Sequence, residues 1–276
     1  MTDVRSTYRR RMPTCFGPAP SPRQDARGLA WTNPTASITA VTSSFLTTRS
    51  GLESLLPDGA ALHGEPVVTV EFMYIHNLQW LAGRGYNTLG VRFPVTVSTG
   101  EQSVRGPFLT VLWENLADPI LTGREELGFA KLYCELPPPT GLPGITTCRA
   151  SWDGHTFCEL SLEDADDIEM GTSDDDGLLH YFSIPRIGAV GEAVTEGWAI
   201  TPPSPRVEIL SHKLGTGSVR FVESTWEQLP TLAHVVNCLA ALPVLEERGG
   251  TITKLRSDTS LHNHRLLSPE AGNGHE

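Results

Sequence analysis

Lysine is scarce in this chain, with Lys131, Lys213 and Lys254 the only three among 276 residues. The formal net charge is −11 and the sequence pI about 5.3, which argues against a nucleic-acid phosphate backbone as partner, because counterion release needs a basic face. The five cysteines (Cys15, Cys134, Cys148, Cys158 and Cys238) are odd in number, widely spaced and without a C-x-x-C pair. They specify neither a disulfide framework nor a zinc site, and reduced thiols in a cytoplasmic setting are expected. Long apolar runs are missing too. The most apolar stretch, residues 229–245, is broken by Pro230, His234, Asn237 and Pro243 and falls short of the roughly 20 residues of a membrane span. There is no G-x-S-x-G elbow, no G-x-x-x-x-G-K-[ST] loop and no H-E-x-x-H pair. The nine histidines form no ligand pattern, and His262 and His264 fall in a polar end that reads as solvated. A small soluble substrate is the partner these absences leave.

The chain is long enough for a core without covalent staples. Residues 1–30 carry Arg5, Arg9, Arg10, Arg11, Arg23 and Arg27 against Asp3 and Asp25, with prolines and no apolar centre, and so read as a disordered basic arm. Residues 31–256 form the expected domain, and 257–276 a disordered polar tail. Within the domain, β-type runs at 37–47, 67–75, 91–97, 107–113, 180–187, 193–201, 206–214 and 218–223 are separated by Gly, Pro and Asp turns too short for crossover helices. They predict a β-rich, mostly antiparallel sheet closed into a barrel or packed as a sandwich. Leu214-Gly215-Thr216-Gly217 reads as a hairpin turn. Helical spacing occurs at 49–56, ending before Pro57, and at 231–242. The acidic stretch 163–176 lacks the ligand spacing of an EF-hand and reads as an exposed loop.

Two residues stand out chemically. Lys131 lies in LGFAKLYCEL among Leu127, Phe129, Leu132 and Leu136. Burial disfavours an ammonium, and a neutral amine attacks ketones, whereas a lysine in such a run can also snorkel to the surface. Glu71 lies in VVTVEFMYI, where alternation puts it on the face of Thr69 and Met73. A carboxylate there is either paired, with Arg84, Arg92 or Arg124, or poised for proton transfer.

The run from Asp118 to Lys131, DPILTGREELGFAK, resembles the segment of acetoacetate decarboxylases in which P-I-x-x-G-R-E precedes the Schiff-base lysine. Lys131 falls at that lysine's position. VEFMYIH, with Glu71 at a family carboxylate position, and the GRGYN…FPV segment from Gly83 to Val95 extend the likeness. It continues more weakly through YFSIPRI and STWEQLPTLAHVV. The resemblance implies an α+β, β-rich fold, a closed cone-like β-barrel with a few flanking helices. It also implies a homo-oligomer and a cofactor-free decarboxylase of a β-keto acid acting through a Lys131 imine, with Glu71 as second catalytic group. Phe129, Arg84, Tyr86, Thr88, Met73 and Leu132 would line the substrate pocket. The chain departs from the family pattern at Leu132, where a second lysine is frequent, at Thr88, where a glutamate is expected, and at Phe129, where tyrosine is usual. The arginine expected near the domain start has no counterpart around Ser37 and Ile38. Schiff-base aldol or dehydration chemistry, known in family members with altered pockets, is the enzymatic alternative. A barrel that only binds a hydrophobic carbonyl compound is the non-enzymatic one.

Overall fold

The computed structural model describes residues 35–100, 102–171, 174–185, 188, 194–258 and 264–267. The basic arm, Cys15, His262 and most of the polar tail lie outside the described residues. Thirteen strands form one sheet: β1 (Thr35–Leu46), β2 (Ala60–Leu62), β3 (Val67–Leu78), β4 (Arg84–Thr99), β5 (Gln102–Glu114), β6 (Lys131–Tyr133), β7 (Ile145–Trp152), β8 (His155–Asp167), β9 (Leu178–Pro185), β10 (Val194–Thr201), β11 (Val207–Phe221), β12 (Glu246–Asp258) and β13 (Arg265–Leu267). Among the described residues three α-helices accompany it: α1 (Arg49–Glu53), α2 (Ala117–Leu127) and α3 (Ala233–Ala240).

The hydrogen-bonded order is β13-β10-β9-β5-β4-β3-β1-β12-β11-β8-β7, with β2 attached to β4 and β6 to β5. This corrects the expected closed cone-like barrel: the sheet is open, and among the described residues no ladder joins β7 to β13. The outer edge of β7 is already occupied by two isolated bridges, Glu135 to Ser151 and Thr140 to Thr147. Pro137, Pro138 and Pro139 between them have no N–H to offer, so this segment cannot become a full strand that carries the sheet onward. The pairing is antiparallel except where β6 and β9 meet β5, so the mostly antiparallel expectation agrees with the ladder.

The predicted hairpin at Leu214-Gly215-Thr216-Gly217 is also corrected, because these residues lie inside the continuous strand β11. Their glycines serve close approach rather than a turn. A bulge separates Leu214 from Thr216 against β8, and a Cβ on Gly217 would sit 2.8 Å from the Cα of Gly250 in β12. The acidic stretch begins as strand, since Glu163 to Asp167 end β8 with mostly exposed side chains. In the polar end, Arg265–Leu267 pair with β10, and Leu267 is buried in the core.

Period-two alternation divides β3, β4 and β5 into two faces. Val70, Phe72, Tyr74, Leu89, Val91, Phe93, Val111 and Trp113 point into the main core, with Val236 and Leu239 of α3. Glu71, Met73, Tyr86, Thr88, Arg92 and Glu114 point to the other side. All four described cysteines are free thiols, with Cys134, Cys148 and Cys158 buried and Cys238 exposed. Burial pushes the Cys148 thiol up to about 11 and raises the other two buried thiols as well. Among the described residues no helix is long and apolar enough to cross a membrane.

Gly217→Ala tests the glycine crossing. The added methyl meets backbone, which cannot rotate away, so the variant should lose about 1–3 kcal/mol and melt several degrees below the parent by circular dichroism.

Candidate active site

The second face of β3, β4 and β5 is roofed by α2 and encloses a cavity of about 260 Å³. Asp118 lies in the first turn of α2, where a negative charge suits the helix dipole. Gly128 closes the helix in the left-handed region at φ 74°. Phe129 N–H then bonds back to the Gly123 carbonyl at 3.0 Å, which the Gly128 N–H shares. That reversal returns the chain beneath its own helix, and β6 adds to β5 in parallel with Lys131 opposite Leu112. Lys131 consequently faces the cavity, whereas Leu132 faces the core.

Lys131 is 8% exposed and Glu114 1%. The Lys131 Nζ lies 2.8 Å from Glu114 Oε1 and donates to the Pro119 carbonyl at 2.9 Å. Lys131 is therefore half of a buried ion pair, not the lone desolvated amine suggested by its sequence neighbours. Glu114 stands directly across the β4–β5 ladder from Thr88, so a carboxylate occupies the strand next to the position where the family glutamate was expected. Arg124 Nη1 donates to the Lys131 carbonyl at 2.9 Å and ties α2 to β6. Gly123 leaves room for the lysine: a Cβ there would lie 2.6 Å from Nζ and 2.5 Å from Cδ of Lys131.

Glu71 has a definite partner among the three arginines considered. Arg92 grips it with two hydrogen bonds, Nη1 to Oε1 at 3.1 Å and Nη2 to Oε2 at 3.0 Å. Both residues line the cavity. The structure thus brings together Lys131, Glu71, Phe129, Tyr86, Thr88 and Met73, and it does not bring in Arg84 or Leu132. Arg84 is exposed at the start of β4 and donates to the Leu81 carbonyl, and Leu132 packs against the core. Glu114 and Arg92 are the charged cavity residues that the sequence reading did not place there.

Behind Phe129 stands a histidine pair that the sequence reading also missed. Phe129 stacks on His180 at 4.0 Å between ring centroids, and His180 on His264 at 5.2 Å. His180 Nε2–H donates to the carbonyl of Leu127, the last residue of α2, at 2.9 Å. Burial, assisted by the neighbouring His264, lowers the His180 pKa to about 4 against the pull of the Leu127 hydrogen bond. His264 is not a solvated tail residue: it bonds Thr201 Oγ1 through Nδ1 at 3.0 Å, and burial lowers its pKa too. Among the described residues no group of three or more His, Cys, Asp or Glu side chains is placed to hold a metal ion.

A profile described as acetoacetate decarboxylase (ADC) matches residues 11–258. The chain belongs to the acetoacetate decarboxylase family. Family membership makes it an acetoacetate decarboxylase-like enzyme, a lyase. No curated protein matches it. Among solved structures, the enduracididine biosynthesis enzyme MppR, complexed with the condensation product of pyruvate and imidazole 4-carboxaldehyde, superposes with a TM-score of 0.66 at 17% identity, over 88% of this chain and 92% of that one. An acetoacetate decarboxylase-like enzyme from Sphingomonas wittichii RW1 gives 0.64 at 15% identity, over 85% and 94%. Acetoacetate decarboxylase from Legionella pneumophila gives 0.64 at 16%, over 88% and 89%. At these identities the likeness is one of fold.

Two expectations follow for this acetoacetate decarboxylase-like site. Gly123→Ala should favour the helix locally yet displace the lysine amine. The melting temperature, read by circular dichroism, should fall by several degrees, because moving the amine away strands the buried Glu114 carboxylate. For His180, the folded pKa of about 4 lies below the ordinary 6.5, so its contribution is complete above about pH 6.5 and is lost as pH falls towards 4. The loss should reach about 3 kcal/mol. His180→Phe should show a visibly smaller drop in melting temperature between pH 7 and pH 4.5 than the parent.

Proposed function

We propose that this protein decarboxylates a β-keto acid to a ketone through an imine at Lys131. The observation that carries the reading is the amine itself, buried in a mostly apolar cavity with a carboxylate 2.8 Å away. The family is the standing example of a lysine activated for this chemistry.

The charges suit the reaction. Glu114 accepts one proton from the Lys131 ammonium, and the freed amine adds to the ketone carbon. The resulting carbinolamine loses its hydroxyl as water, with the proton returned by Glu114. Of the three ammonium protons, two leave in that water and one stays on the iminium, so Glu114 again faces a single positive charge. A carboxylate buried at this spot stabilises that cation. The iminium accepts the electron pair of the breaking carbon–carbon bond, CO₂ departs, and an enamine remains. One solvent proton converts the enamine back to an iminium, which water hydrolyses to ketone and the Lys131 ammonium. In this scheme Glu114 takes the place of the glutamate expected at position 88. Glu71, engaged by Arg92, orients rather than transfers.

A second reading, aldol condensation or dehydration of a keto acid, is favoured by one feature. Arg92 can hold a carboxylate that stays on the substrate, and MppR was captured with a pyruvate condensation product.

Borohydride reduction in the presence of a β-keto acid should add the reduced ketone to the Lys131 peptide, read by mass spectrometry, and Lys131→Met should abolish both adduct and CO₂ release. Glu114→Gln should lower kcat by about 10²- to 10⁴-fold. An adduct without CO₂ would select the condensation reading, and undiminished turnover by folded Lys131→Met would end the imine mechanism.

A further inference from the structure

The cavity has two polar poles and an apolar wall. Lys131 and Glu114 form one pole, and Arg92 and Glu71 the other. Leu109, Leu112 and Phe129 form a buried cluster with Leu127 and Leu178 against it, and all five line the cavity. From this arrangement we infer that the substrate is a 3-oxo acid with an apolar tail, its carboxylate seated on Arg92 and its tail laid along the leucine wall. The inference rests on the imine reading of Lys131.

The argument begins with charge. Among the described residues Arg92 and Lys131 are the only cations that line the cavity, and Lys131 must lose its charge to react. A carboxylate entering with the ketone therefore has one cation to pair with. A guanidinium carries five N–H donors, and Glu71 uses one on each terminal nitrogen. The Arg92 side chain is 30% exposed and that of Glu71 15%, which leaves the guanidinium accessible from the cavity. Glu71 also sets the strength of the contact. A bare cation would stabilise the bound carboxylate, which must give up its charge as CO₂, and so would raise the barrier to the chemical step. An arginine already neutralised by Glu71 orients the carboxylate with a weaker hold.

The wall sets the rest of the substrate. A four-carbon acid with its ketone at Lys131 and its carboxylate at Arg92 has only its terminal methyl left to offer the leucine cluster. Each methylene buried there should improve binding about fourfold.

The test compares 3-oxobutanoate, 3-oxooctanoate and 2-heptanone, the neutral ketone left when the latter acid loses CO₂. The readout is the concentration giving half-maximal borohydride adduct on Lys131. In the parent enzyme 3-oxooctanoate should trap at a concentration at least tenfold below 3-oxobutanoate. The double variant Glu71→Gln/Arg92→Gln, which buries no unpaired charge, should need at least tenfold more 3-oxooctanoate and leave 2-heptanone within twofold. Glu71→Gln alone should tighten the acid and slow its CO₂ release, a fall in KM and kcat together. Equal trapping of the two acids, or equal loss for acid and neutral ketone, would overturn the inference. If no compound traps in the parent, the imine reading fails by itself. Calorimetry with octanoate then decides: tenfold weaker binding to the double variant upholds the Arg92 seat, and unchanged or absent binding removes it.

Discussion

A buried ammonium and a buried carboxylate 2.8 Å apart organise this end of the molecule. Taking either ion from water costs several kcal/mol, and only close geometry with further hydrogen bonds offsets it. The surrounding structure supplies that geometry. The Pro119 carbonyl takes a lysine proton, Arg124 fixes the lysine's own carbonyl, and the side-chain-free surface at Gly123 lets the amine pass beneath the helix. Removing one partner would strand the other charge, so the α2 cap, the parallel β5–β6 pairing and the ion pair must form together.

The same sheet serves two media. Because successive residues of a strand face opposite ways, β3, β4 and β5 place Phe72, Leu89 and Trp113 in a dry core while Glu71, Thr88 and Glu114 face the cavity. The irregularity opposite Val91 and Arg92 leaves Thr110 as an extra residue on β5, and because such bulges re-aim side chains, Leu109 and Leu112, three apart, both face the cavity. The histidine stack behind Phe129 holds the far side, joining the end of α2 to β9 and to His264.

Much of the sheet was legible because apolar alternation is a local property, and the strands around Val70, Val91, Val111 and Ile200 announce themselves. Helix α2 is not announced: Asp118-Pro119 imitates a turn and Gly123 a break, although proline is tolerated in a first turn and the glycine is required by the lysine. Glycine also misled at β11. Asp153-Gly154, with φ 46° and 80°, is the true hairpin signal between β7 and β8, whereas Gly215 and Gly217 mark strands in contact. Closure of the sheet depends on pairings between distant segments, which no local period records. Within the site, Lys131 was found through rarity and resemblance, and Glu71 as an acid in an apolar run. Glu114 has no such signature, since an acid followed by asparagine looks like the polar end of any strand. His180, inside LLHYFSI, carried the same signal as Glu71.

The buried thiols give the molecule an internal clock. Cys134, Cys148 and Cys158 sit just beyond β6, on β7 and on β8, and burial holds all three in the unreactive protonated form. An alkylating reagent at neutral pH meets Cys238 at once and these three only when that end of the sheet opens. The delay before their modification therefore times the opening of the core that β6, β7 and β8 share, without any label being introduced.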